Sequence, residues 1–174
     1  MSIRNAGAIL ALFVLGAMPT LGATVGRDAP IVVDSNGNAM GRYVVNSIID
    51  GSALFVALYS TKYGLTEVSL QGDQDTTLFQ LHPASYIEFS NADCSGVASF
   101  LAPRLGLLPA AVQITATGTF LWIADNAAVN RQLFSYASKW QNGQCVVGSG
   151  QDNNLFQGSR RVNISRFLPP FSLK

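Results

Sequence analysis

The sequence predicts an all-β protein: one antiparallel sandwich or barrel domain over residues 24–174, behind a signal peptide of residues 1–23. Three observations predict it. Beyond residue 23, runs of roughly four to eight β-favouring residues are punctuated by Gly, Asn, Asp and Pro, with no helical periodicity sustained over three turns. Hydrophobic residues make up 48% of the chain and charged residues only 12%, which excludes a disordered polymer. Two Asn-Gly pairs, Asn36-Gly37 and Asn142-Gly143, mark tight hairpin turns.

The N-terminus carries Arg4 and then an apolar run from Ala6 to Met18, closed by Pro19. Its dense part, Ala8 to Ala17, is about half of the ~20 residues that span a bilayer, so the pattern fits an export signal rather than a permanent membrane span. Small residues at Gly22 and Ala23 offer the cleavage point. The expected location is secreted, periplasmic or cell-surface.

The strands follow in order. Ile31 to Val33 leads through Asp34-Ser35-Asn36-Gly37 into Arg42 to Val45. Ala53 to Ser60, a turn at Thr61 to Gly64, and Leu65 to Leu70 make a second hairpin, before a polar loop from Gln71 to Asp75. Thr77 to Leu81 and Tyr86 to Phe89 continue the meander. Val97 to Ala111 is broken by Pro103, Gly106 and Pro109 and reads as an irregular crossing. Val112 to Ala124 alternates most clearly, with Gln113, Thr115, Thr117 and Thr119 on the face expected to be polar. Leu133 to Trp140, a type I′ turn at Asn142-Gly143, and Cys145 to Val147 form the strongest hairpin signal. Arg161 to Phe167 alternates again, and Pro169-Pro170 is expected to end the ladder, leaving an extended tail.

Cys94 and Cys145 are the only cysteines. In a chain bound for an oxidising compartment they predict one disulfide, and closing a loop of about 50 residues contributes up to about 4 kcal/mol in the chain-entropy picture. One histidine beside two cysteines gives no four-ligand zinc set, and no metal or other cofactor is expected.

Asp93-Cys94-Ser95-Gly96, Asn142-Gly143-Gln144-Cys145 and Pro169-Pro170-Phe171-Ser172 resemble motifs of a loosely defined group of uncharacterised secreted bacterial β-proteins. The opening Asp34 to Gly37 segment resembles that group too. The resemblance implies a bacterial source and the disulfide, and it brings no activity.

Charge is split along the chain. Residues 24–130 hold four basic against nine acidic side chains, and residues 131–174 six basic against Asp152. Mutual neutralisation is the simplest reading; a candidate anion face at Arg160, Arg161 and Arg166 is the sharper one. Without a net basic charge, a phosphate-cradling glycine loop or an interleaved basic and aromatic surface, no nucleic-acid partner is expected.

His82 is the only histidine and Glu67 and Glu88 the only glutamates, so a secreted hydrolase would have to work through these residues and the aspartates. The sequence favours a strand-end role for His82 beside Pro83, and exposed strand faces for the two glutamates. Asp34, Asn36 and Asn38 echo a calcium loop, but Ala39 and Val45 occupy its glycine and bidentate-acid positions. Asp73 and Asp75 read as a solvated loop. Tyr59, Tyr63, Trp122, Tyr136 and Trp140 are the candidate ligand platform for a protein or glycan partner, weighed against plain packing. No catalytic residue is assigned. The leading expectation is an exported binding or surface-assembly module, with a hydrolase or a purely structural protein as alternatives.

Overall fold

In the computed structural model, the described residues are 29–49, 52–72, 78–102, 107–130, 132–153 and 155–174. The expected signal peptide and the Asp73 and Asp75 pair lie outside them. The fold is all-β, with no helix among the described residues.

Fourteen strands follow one another: β1 (Ile31–Val33), β2 (Ala39–Ile49), β3 (Ser52–Thr61), β4 (Gly64–Gly72), β5 (Leu78–Leu81), β6 (Tyr86–Phe89), β7 (Ala98–Phe100), β8 (Leu108–Thr115), β9 (Gly118–Ile123), β10 (Phe134–Gln141), β11 (Gln144–Asp152), β12 (Phe156–Gly158), β13 (Arg160–Asn163) and β14 (Phe171–Leu173). β4, β3, β2, β1, β14 and β5 pair antiparallel in that order, and β5 returns to β4 through Leu70↔Leu81 and Gln71↔Gln80. The ring is therefore a closed six-stranded barrel. The first half of β4 pairs parallel with β8 through Thr66↔Leu108 and Glu67↔Pro109, so one edge of β4 serves two strands in succession.

β8, β9 and β13 extend from that junction as a wall between two cores. Alternate residues face opposite sides. Ala110, Val112, Leu121 and Ile123 join the barrel core with Val32, Leu70, Phe79 and Phe171. Ala111 and Trp122 point the other way and join Ile87, Phe89, Phe100 and Phe156 of a second sheet, ordered β11-β10-β6-β7-β12.

Several sequence expectations change here. The Val112 to Ala124 run is not one strand with a polar face: it turns at Ala116-Thr117, and because both faces of the wall are covered, Gln113 is buried; Ile114, close to the turn, lies 44% exposed. Buried Gln113 accepts a bond from Trp122 Nε1 at 2.9 Å, which satisfies both polar groups. The Val97 to Ala111 crossing contains β7 and the start of β8. The prolines do not end the ladder at residue 170. Phe171 is fully buried, and β14 closes the barrel against β1 and β5.

Local chemistry sets the turns. Asn142 (φ 52°) and Gly143 (φ 78°) both take the left-handed conformation of a type I′ turn. At the first hairpin only Gly37 (φ 82°) does so. There the Gly37 N–H donates to the Asp34 carbonyl at 2.9 Å, and the Asp34 carboxylate accepts the N–H groups of Asn36 (3.0 Å) and Asn38 (2.7 Å) and the Asn38 side-chain amide (3.0 Å). Leu168 N–H reaches the same carboxylate at 3.2 Å, so one buried aspartate ties the first turn to the approach of β14. This is a turn acid with its oxygens engaged.

Candidate functional site

The expected disulfide is present between Cys94 and Cys145, with Cα atoms 5.8 Å apart. It joins the turn between β6 and β7 to the first residues of β11. Cys94 itself has φ 56°, and its N–H donates to Ser138 Oγ at 3.0 Å. Ser138 is fully buried and donates in turn to the Asn91 carbonyl at 2.6 Å, so a single hydroxyl locks β10 under the cysteine turn. Ser95 Oγ donates to Asp93 Oδ1 and accepts from the Asn91 side-chain amide, so the residues beside Cys94 serve as turn scaffold.

The disulfide holds one end of the β10–β11 hairpin. Among the described residues β11 pairs only with β10, from Gln141↔Gln144 to Phe134↔Asp152, with a bulge between Tyr136 and Ser138. Gln144 to Ser149 are all exposed, Val146 by 45% and Val147 by 72%. The two-residue turn makes Gln141 and Gln144 a hydrogen-bonded pair, and alternation from there gives Lys139 and Val146 the next. Cys145 and Val147 therefore turn their backbone N–H and C=O groups away from β10, along the open edge.

Behind that edge lies a charged cluster. Glu88 on β6 is fully buried, and its Oε1 sits 2.7 Å from Nζ of Lys139, its cross-strand partner on β10. Lys139 Nζ lies over the rings of Tyr136 (4.3 Å) and Tyr86 (4.9 Å), and Tyr86 OH donates to Asp152 of β11 at 3.5 Å. Burial pushes the Glu88 carboxyl above its ordinary range; Lys139 pulls it back and Asp152 adds to the rise. Burial opposes the charge on Lys139, but its bonds to Glu88 and Tyr136 and their charges hold it above its ordinary value. Burial, Asp152 and Glu88 raise Tyr86.

Both glutamates thus depart from the exposed faces expected of them. Glu67 is also fully buried and accepts the Leu107 N–H at 3.2 Å. The two are held by different elements, in the barrel junction and in the second sheet. His82 is half-buried, its backbone N–H donates to the Ser69 carbonyl at 3.0 Å, and burial lowers its imidazole below the ordinary value. No group of three potential metal ligands occurs among the described residues.

The platform aromatics occupy different places. Tyr59 is a barrel-core residue in edge contact with Phe167 (centroids 5.6 Å apart), and its OH accepts from Arg166 at 3.3 Å. Trp122 is buried edge-on to Phe89 at 5.1 Å. Tyr63 is half-buried between Lys62 (5.0 Å) and Arg160 (5.2 Å). Tyr136 and Trp140 lie on β10, with Trp140 packed on the second core and paired with Cys145. Only these two share an element with the open hairpin.

The three arginines are likewise kept apart. Arg160 bonds Asp125 at 3.5 Å, and Arg161 lies 3.5 Å over Phe120, where burial lowers its pKa. Arg166 stacks on Phe167 at 4.7 Å. The sequence named Tyr136, Trp140 and both cysteines but missed Lys139, Tyr86 and Asp152, because strand order, not spacing, brings β6 beside β10. The one available sign was an acid inside the apolar run Tyr86-Ile87-Glu88-Phe89. Comparisons with protein-family models, curated proteins and solved structures find no match for this chain.

Proposed function

We propose that this chain is an exported, non-enzymatic β module that joins a protein partner by accepting an extended strand along β11. The observation that carries the reading is the open edge itself: nine residues paired on one side only among the described residues, solvent-exposed from Gln144 to Ser149. Natural sheets blunt such edges with lysine, proline or inward charges. β11 has no lysine, proline or charge between Gln144 and Gln151; its one bulge lies beyond Val147, and two exposed valines stand in the regular stretch before it. Strand addition supplies affinity through main-chain bonds and selectivity through alternate side chains. The disulfide and the Ser138 lock anchor the hairpin, lowering the ordering cost of binding. The N-terminal charge and hydropathy pattern and the two bridged cysteines support export.

The test is selection of displayed peptides against the oxidised protein, followed by affinity measurement on variants. Val147→Pro removes an outward N–H without breaking a β10 bond. It is expected to weaken selected peptides at least tenfold with the fold retained, while His82→Ala leaves them unchanged. Peptides that bind Val147→Pro as well as the parent would sink the strand-addition reading. Sensitivity to His82→Ala would favour the hydrolase.

A further inference from the structure

We propose that the outer wall of the barrel, independently of β11, carries a trough for a single-chain alkyl carboxylate, with Arg166 holding the head group. A groove of about 550 Å³ runs over β1 to β4, lined by Ile31, Met40, Gly41, Arg42, Leu58 and Leu65 among others. A second, of about 390 Å³, is lined by Asn38, Ala39, Arg166 and Phe167. Ala39 lines both, so the two grooves adjoin at the start of β2, and an alkyl chain in the first would bring its head group to the second. Their sizes lie within the roughly 300–1,000 Å³ of small-molecule sites.

The chemistry differs between its ends. Apart from Arg42 and Ser60 the larger groove is apolar, and its walls hold Ile31 at 40% and Leu65 at 48% exposure, an arrangement that leaves hydrocarbon facing water. Gly41 contributes no side chain, because a Cβ there would run into the Leu58 carbonyl. At the other end the guanidinium of Arg166 is fixed by stacking on Phe167 and by its bond to Tyr59 OH, and it makes no ion pair among the described residues. Asp34, close by through its bond to Leu168, is buried with its carboxylate already accepting four hydrogen bonds. Lys174 Nζ lies 3.9 Å from where a Gly37 Cβ would stand, adding positive charge at the first turn. An oriented cation at the end of a hydrocarbon-lined trough is complementary to a carboxylate on an alkyl tail.

Titration of 11-(dansylamino)undecanoic acid into the oxidised protein tests this directly. Saturable, blue-shifted emission is expected, displaced by decanoate but not by acetate or decanol at equal concentration. Arg166→Gln should weaken the probe about tenfold, Arg166→Lys should restore part of that loss, and Leu65→Asp, at an exposed position, should weaken it at least tenfold without moving the melting temperature. Absence of saturable emission, equal displacement by decanol, or unchanged affinity in both Arg166→Gln and Leu65→Asp would overturn the proposal.

Discussion

Replacing Lys139 with Met should convert a tolerated buried acid into a pH-dependent defect. Methionine keeps the stem that packs between Tyr86 and Tyr136 but removes the charge 2.7 Å from a carboxylate that has no water contact. Breaking a buried pair on one side costs about 3–5 kcal/mol, and Lys139, 30% exposed, belongs at the low end of that range. A second bound agrees. The unpaired acid can escape by taking a proton, and from an ordinary value of 4.5 this costs about 3.4 kcal/mol at pH 7, at 1.36 kcal/mol per unit. The expected loss is therefore about 3 kcal/mol, or a fall of about 6–12 °C in melting temperature.

The sign with pH follows from the raised carboxyl. In the folded variant Glu88 binds its proton more tightly than in the unfolded chain, so the variant is least impaired below pH 4.5 and loses stability as pH rises toward the folded value. Asp152, Tyr86 and Tyr136 face the same cluster. Urea denaturation of the oxidised protein, followed by tryptophan fluorescence at pH 5 and 7.5, measures both effects. The double variant Glu88→Leu with Lys139→Met should recover to within about 1 kcal/mol of the parent. A loss under 1 kcal/mol at pH 7.5, or an equal loss at the two pH values, would mean that Lys139 is not what makes the buried Glu88 charge tolerable.

Ser138→Ala removes the hydroxyl shared by Cys94 N–H and the Asn91 carbonyl, and should cost about 1–3 kcal/mol in urea denaturation; a change below half of that range's lower end counts against the lock. Burial works against the Asp34 charge, but its bonds from Asn38, Leu168 and Asn36 hold it below 3.8, so its contribution is full above pH 3.8 and lost as pH falls through the folded value. Asp34→Asn should flatten that acid limb of a stability–pH curve, and an unchanged limb would remove Asp34 as its cause. Gly158→Ala would drive a Cβ into the Ile123 carbonyl and should cost about 1–3 kcal/mol by thermal melting, whereas Gly148→Ala, with nothing within 4 Å, should not destabilise. Reduction of Cys94–Cys145 should lower stability by about 2–4 kcal/mol, read from urea midpoints with and without reductant.

What the sequence disclosed follows the range of the interactions involved. The Asn142-Gly143 hairpin and the extents of β3 and β4 were legible because a turn's backbone preferences and a strand's alternation are local. So was the disulfide, since two cysteines leave one pairing. The choice between sandwich and barrel was not legible, because closure depends on β14 meeting Val33 and Phe79, far away in the chain. Gln113 misled for a related reason: alternation shows that a strand has two faces, but not that a second sheet covers the polar one. Glu88 and Lys139 are 51 residues apart, and no periodicity connects them.

The position of β14 also governs when the molecule can form. Val33 pairs with Ser172, so the last seam of the barrel joins segments 139 positions apart in the chain. Until β14 has emerged, the ring stays open between β1 and β5, each with an unsatisfied edge. Loop closure over such a separation is slow, as in other β proteins dominated by distant pairings. The unfinished ring is accordingly the species most exposed to aggregation, and truncation before Phe171 removes its means of closing.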